Sequence, residues 1–176
     1  MNVVQQMQLK NAVERVLHVP GNYTEAIKHT GQVLEMALVL DYHISEPELR
    51  MLSTEIVDLL KRHSEVFRNV RLNVIKWVDD TCICKEVSSM AHVRMGQIFG
   101  DYVQGSSRKS FLELARQLKL FYARSKLILV LTDGSFYPGE PEKVREQMHP
   151  FLHRKLLILQ NGKVCIGTEW MREILT

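Results

Sequence analysis

The chain has 176 residues, of which 45% are hydrophobic and 24% are charged, and its formal net charge is +3 at pH 7. These values predict a globular protein with one main core. The mildly basic charge is too weak to indicate a nucleic-acid partner by itself, and it does not exclude one. No run of about 18 uncharged apolar residues occurs, and the start of the chain lacks a signal-peptide pattern, so we expect a cytoplasmic protein without a transmembrane helix.

The first thirty residues are predicted to form a helical extension. Apolar side chains in the range 3–17 recur at helical spacing, and the turn-forming sequence Pro20-Gly21-Asn22 ends this helix. We therefore divide the chain into an N-terminal helical extension, residues 1–30, and an α/β domain, residues 31–176.

From residue 33 onward, apolar strand patterns alternate with amphipathic helix patterns. The predicted strands cover 33–40, 70–78, 81–87 and 126–132, and the predicted helices cover 45–63, 107–122, 141–148 and about 168–175. Asn161-Gly162 separates two apolar runs and predicts a β-hairpin. The alternation indicates a mostly parallel central sheet with helices on both faces, a three-layer arrangement of Rossmann type.

Two of these strands end in an acid. Asp41 follows the apolar run in "VLDYHIS", and Asp133 follows the one in "VLTDGS". Functional loops gather at the carboxyl ends of the central strands in such sheets, so we expect both acids at the same edge. A third loop, "YVQGSSRKSF", can bring Gly105, Ser106 and Ser107 to that edge. Carboxylate and hydroxyl oxygens are the ligands that Mg²⁺ and Mn²⁺ prefer.

The order of these motifs resembles a von Willebrand factor A domain over about residues 33 to 170. "LVLDYHIS", "QGSS" and "LILVLTDGS" resemble the family's Asp-x-Ser-x-Ser motif, its Gly-Gly-Thr-like loop and the Asp that ends its fourth strand. In the family these three form a metal-ion-dependent adhesion site. The helix phrase "SEPELRMLSTEIVDLL" is similar to bacterial and phage members, some of which are partners of AAA+ ATPases.

The resemblance implies a set of metal ligands and a binding rim around them. The ligands of Mg²⁺ or Mn²⁺ would be Asp41, Ser45, Ser106 and Asp133. The rim would be His43, Gly105, Ser107 and Gly134. Two departures predict a degenerate site: His43 stands where the family has its first serine, and Gln104 stands where the loop has its second glycine.

Most of these residues also have a purely structural interpretation. Ser45 can cap a helix together with Glu48, and Ser106 or Ser107 can cap the next helix. Asp133-Gly134 can be a simple turn. Asp41 is harder to explain in this way, because an acid that ends a buried strand needs a partner, such as a salt bridge or the amides of a helix N-terminus.

The resulting functional hypothesis is a non-enzymatic protein–protein interaction module that binds through the loops at the carboxyl ends of the strands. Its partner would be an ATPase or the subunits of a larger assembly, with metal assistance where an ion is bound. One alternative is a metal-dependent nuclease or other hydrolase that uses Asp41, Asp133 and either Asp79 or Asp80. Another is a structural subunit of a phage or bacterial assembly, docked through the N-terminal helix.

Overall fold

The computed structural model describes residues 1–17, 33–64, 69–79, 81–94, 98–100, 102–105, 109–151 and 155–175. Within these residues the chain forms a six-stranded sheet, five α-helices and one 3₁₀ turn at Met90–His92. The strands are β1 (Leu34–Asp41), β2 (Val70–Val78), β3 (Thr81–Ser89), β4 (Leu127–Thr132), β5 (Leu156–Gln160) and β6 (Lys163–Ile166). The helices are α1 (Val3–Leu17), α2 (Glu46–Ser64), α3 (Phe111–Phe121), α4 (Pro141–Met148) and α5 (Gly167–Ile174).

The sheet has the strand order β3-β2-β1-β4-β5-β6. The four central strands run parallel to one another, whereas β3 and β6 at the two edges run antiparallel to their neighbours. The predicted mostly parallel sheet is therefore confirmed. The predicted hairpin is confirmed as well: Asn161 and Gly162 join β5 to β6 with φ angles of 49° and 81°, the signs that a type I′ turn requires.

Helices cover both faces of the sheet, and each face has its own hydrophobic cluster. Leu38 and Leu40 of β1 belong to the cluster under α1 and α2. Ala37 and Val39, which alternate with them, belong to the cluster under α3, α4 and α5. The central strands are thus buried on both faces, which is why they read as continuous apolar runs in the sequence.

Helix α1 contributes to the first of these clusters. Its buried side chains are Leu9, Val13, Val16 and Leu17, which recur at helical spacing and pack with residues of β1, α2 and β4. The predicted boundary at residue 30 falls outside the described residues. No helix in the described ranges is long and apolar enough to cross a membrane.

Helix α3 begins later than the sequence predicted. Its first residue is Phe111, and Ser110 is its N-cap, with the Ser110 hydroxyl oxygen accepting a hydrogen bond from the backbone N–H of Glu113 at 3.2 Å. The cap is therefore Ser110 and not Ser106 or Ser107, both of which lie outside the described residues. Residue 109 consequently precedes the helix in an irregular segment.

Candidate functional site

The candidate site lies where the sheet changes its direction of winding. Strands β2 and β3 follow on one side of β1, and strands β4, β5 and β6 lie on the other side. Parallel sheets of this kind form a crevice outside the carboxyl ends of the two strands that flank such a switch point. Asp41 is the last residue of β1, and Asp133 directly follows β4. Both acids therefore lie at the switch point, close together as the sequence predicted.

A buried lysine joins the two acids. The ammonium group of Lys109 contacts Oδ2 of Asp41, lies 2.7 Å from Oδ1 of Asp133 and 3.4 Å from the hydroxyl oxygen of Ser135. The Lys109 side chain is 0% exposed. An ammonium group has three N–H donors, and here three oxygens face it. The Trp77 ring, whose centroid lies 5.3 Å from the same nitrogen, adds a cation–π contact.

The carboxylate of Asp41 is fully buried and is held by several donors besides the lysine. The hydroxyl of Thr132 donates to Oδ2 at 2.7 Å, and the backbone N–H of Asp133 donates to the same oxygen at 3.3 Å. The backbone N–H of His43 donates to Oδ1 at 2.9 Å. Asp41 thus has the partner that a buried strand-end acid needs, and that partner is a salt bridge.

Asp133 sits closer to solvent, with 30% of its side chain exposed. Its Oδ1 accepts a hydrogen bond from the backbone N–H of Ser135 at 2.9 Å, and the Ser135 hydroxyl oxygen lies 2.7 Å from the same atom. Burial raises the pKa of this carboxyl, but the hydrogen bonds from Lys109 and Ser135 outweigh burial and hold the pKa well below its usual range. Asp133 is therefore a stable carboxylate at neutral pH.

The imidazole of His43 bridges Asp41 to a third strand-end acid. Its Nδ1 lies 3.2 Å from Oδ1 of Asp41, and its Nε2 lies 3.4 Å from Oδ1 of Asp79, which follows β2. The ring also packs on Gly105, where an added Cβ would lie 2.6 Å from Cε1 of the imidazole. The side-chain amide of Gln104 donates to the His43 carbonyl oxygen at 3.1 Å. His43 therefore ties three segments of this edge together.

The other predicted site residues lie around this cluster or outside the described residues. Ser45 is exposed and lines a cavity of about 180 Å³ beside the cluster, and its carbonyl oxygen accepts from the Leu49 backbone N–H at 2.9 Å. Gly134 donates its backbone N–H to the Thr132 hydroxyl oxygen at 3.1 Å. Ser106, Ser107 and Asp80 lie outside the described residues, so their predicted roles stay predictions.

Sequence reasoning missed Lys109. The residue stands in "SSRKS", where the sequence indicates only scattered basic residues. The signal that points to it is indirect: two acids that end adjacent buried strands require a cation, and Lys109 lies in the third loop predicted to reach the same edge. Which of several nearby basic residues supplies the cation depends on the path of that loop.

The oxygen atoms of this site are suited to a cation, and the cation that the structure places there is an ammonium group. Oxygens of Asp41, Asp133 and Ser135 face Lys109, so a divalent ion would compete with the lysine for the same atoms. Among the described residues, no group of three or more His, Cys, Asp or Glu side chains is placed to hold a metal ion. The residues present therefore do not fit the ion that the resemblance implies while Lys109 is in this position.

No protein-family model matches the chain, and no curated protein matches it either. The resemblance to a von Willebrand factor A domain thus rests on the motifs of the sequence.

Proposed function

We propose that this chain is a von Willebrand A-like, non-enzymatic interaction module that binds a protein partner at the carboxyl edge of its sheet. This binding surface extends the binding rim that the resemblance implies. From here on, the rim means the surface formed, among the described residues, by the loops at 42–45, 102–105, 133–137 and 161–162. Asp41 at the end of the first strand and Asp133 directly after the fourth support the resemblance, because the family's acids lie at the ends of the same two strands.

The observation that carries this proposal is that hydrogen bonds connect the loops of the rim to one another. The hydroxyl of Tyr102 donates to the carbonyl oxygen of Ile44, and Asn161 donates through its amide to the carbonyl oxygen of Asp133 at 3.2 Å. The backbone N–H of Gly105 donates to the carbonyl oxygen of Tyr42 at 2.9 Å. Loops that are already ordered lose little conformational entropy on binding, which favours recognition of a partner.

The same geometry disfavours the alternative of a metal-dependent nuclease. Such an enzyme needs carboxylates that are free to hold metal ions and face the substrate. Asp41 is fully buried, and both Asp41 and Asp133 are paired with the ammonium of Lys109. Asp79 is more exposed but is directed to the His43 ring. These acids stabilise the edge of the sheet in the arrangement described.

The rim offers one recess of a size that suits a side chain of a partner. The cavity of about 180 Å³ is bordered by the start of α2, the end of β4 and the β5–β6 turn, and its lining includes Ser45, Glu48, Asp133 and Asn161. A small recess with a few polar groups fixes the position of an inserted group and provides specificity. A subunit of a larger assembly, or an ATPase, is the partner class that the resemblance implies.

Site-specific photocrosslinking tests this function. A photoreactive amino acid at position 48, beside the recess, should give a discrete crosslinked product in cells that express the chain. The same amino acid at position 124, an exposed residue before β4 at the opposite edge of the sheet, should not give that product. Equal crosslinking from both positions, or none from position 48, would contradict a binding surface at the rim.

The hydrolase alternative has its own test. The purified chain is incubated with single- and double-stranded DNA and RNA in the presence of Mg²⁺ or Mn²⁺, with Asp41→Asn as the matched variant. We expect no cleavage that depends on Asp41. If the wild type cleaves nucleic acid and Asp41→Asn does not, the result would contradict the proposal of a non-enzymatic interaction module and support the nuclease alternative.

A further inference from the structure

We propose that Lys109 is the built-in cation of this site and occupies the place that a divalent metal ion would take. In this arrangement the chain needs no metal to hold its two strand-end acids together. The inference goes beyond the interaction function and does not depend on it, since it concerns which cation the acids bind and not what the rim recognises.

The first argument is geometric. The three oxygens around the ammonium come from the end of β1 and from the loop that follows β4, and they belong to Asp41, Asp133 and Ser135. Lys109 itself comes from a third segment, directly before the Ser110 cap of α3. A cation that gathers oxygen ligands from separate loops is the role of a metal ion in a site of this kind. Here a side chain of the protein fills that role.

The second argument is that every N–H donor of the ammonium group already has an acceptor. Its three donors match the three oxygens that face it, and its side chain is completely buried. A metal ion in the family site keeps an open position for a carboxylate of the partner. Lys109 leaves no such position, so the rim cannot recognise an acidic group through this cation.

The third argument concerns charge. Two carboxylates and one ammonium leave this cluster with one uncompensated negative charge, whereas a divalent ion would neutralise both acids. Removal of the ammonium would leave the oxygens of Asp41, Asp133 and Ser135 without a cation. These are hard ligands, and water can complete the coordination of Mn²⁺. A metal site should therefore emerge when Lys109 is shortened.

The experiment compares the wild type with Lys109→Ala and Lys109→Met in the full chain. Thermal unfolding and calorimetric titration are measured with Mn²⁺ and without it. We expect the wild type to show no change in melting temperature with Mn²⁺. Both variants should melt roughly 10 °C lower without metal, because each leaves the buried Asp41 and the partly exposed Asp133 without their counter-charge. Mn²⁺ should restore most of this loss in Lys109→Ala only, since the Met side chain still fills the space.

A matched control separates this effect from a general loss of a lysine. Lys143 pairs with Glu140 at 2.9 Å on the surface, so Lys143→Ala should neither lower the melting temperature appreciably nor create Mn²⁺ binding. If Lys109→Ala does not fold alone, it should fold when Mn²⁺ is present during refolding. The proposal is overturned if Lys109→Ala gains no Mn²⁺ binding, or if the wild type binds Mn²⁺ in a manner that Asp133→Asn abolishes.

Discussion

At the scale of single residues, the stability of the site depends on one ammonium group. Lys109→Met removes the charge but keeps much of the volume, and it leaves Asp41 buried without its ion pair. We expect the free energy of unfolding to fall by about 3–5 kcal/mol, as it does when one member of a buried pair is removed. Urea denaturation measures this loss. Lys143→Met, at an exposed ion pair, should change the free energy of unfolding by less than about 1 kcal/mol. Equal losses in the two variants would show that burial does not account for the effect of Lys109.

Asp133 gives the site a defined dependence on pH. Its pKa is held well below the ordinary value of 3.8, chiefly by Lys109 and Ser135 against the effect of burial. A carboxyl with a lower pKa in the folded state stabilises the fold above the unfolded pKa and ceases to do so as the pH falls toward the folded pKa.

The stability difference between the wild type and Asp133→Asn should therefore be constant above about pH 5 and should shrink as the pH is lowered toward about 2. Urea titrations at a series of pH values measure this stability difference. The same difference between the wild type and Glu140→Gln, at an exposed carboxylate, serves as the control. A difference that widens in acid would show that Asp133 is not a stabilising carboxylate.

Gly105 and His43 form a pair that can be tested by a double-mutant cycle. A methyl group at position 105 would press on the imidazole, which is fixed between Asp41 and Asp79. We expect Gly105→Ala to lower the free energy of unfolding by about 1–3 kcal/mol. In a His43→Ala background the same change should cost much less, giving a coupling energy that chemical denaturation can measure. Additive losses would mean that the clash is elsewhere.

The residues of the site were predictable to different degrees. Asp41 and Asp133 could be paired from the sequence, because an acid after a buried strand is a local pattern and parallel strands end at one edge. Lys109 could not be paired with them, since it lies 68 and 24 residues away from its two partners in the chain. The position of a loop side chain is decided by tertiary contacts that no local pattern contains.

At the scale of secondary-structure elements, the β5–β6 turn closes the rim on one side. Gly162 adopts φ 81°, where a residue with a Cβ is strained, and an added Cβ would also meet the side chain of Gln5 in α1. Gly162→Ala should therefore lower the free energy of unfolding by about 1–2 kcal/mol. Thermal unfolding measures this loss, and Lys163→Ala, at the next position in the chain and exposed, is the control. Equal stability of the two variants would contradict it.

The hydrophobic pattern predicted the bounds of helices and strands better than it predicted which of their side chains are buried. The predicted strand at 70–78 and helix at 141–148 have those bounds in the structure. In α1, however, the apolar side chains of Val4 and Met7 are 63% and 58% exposed. They lie off the stripe of Leu9, Val13 and Val16, and a short helix offers several apolar alignments from which only packing selects one.

At the scale of the whole molecule, α1 is part of the core. Leu9 is fully buried in the cluster that also contains residues of β1 and α2. We expect Leu9→Ala to lower the free energy of unfolding by about 2–5 kcal/mol while unfolding keeps one transition. Far- and near-ultraviolet circular dichroism should give coincident curves. Met7→Ala, at an exposed position, is the control. A separate early transition would mean that α1 unfolds as an independent extension.

The three-layer plan was predictable because uninterrupted apolar strands need cover on both faces, which the intervening helices provide. The von Willebrand A-like assignment, the protein partner and the role of the rim remain proposals. They depend on how loops from distant parts of the chain meet, and the photocrosslinking experiment tests the role of the rim.

The salt bridge at the switch point also connects the two central strands to the chain segment that lies between them in sequence. When β1 and β4 pair, they bring Asp41 and Asp133 together, and two carboxylates at close range repel until a counter-charge arrives. That charge is on a segment between the two strands in sequence, so the full stability of this strand pairing depends on the position of Lys109. Closure of this long-range contact sets an entropic barrier. The lysine thus couples the pairing of the central strands to the placement of the segment between them.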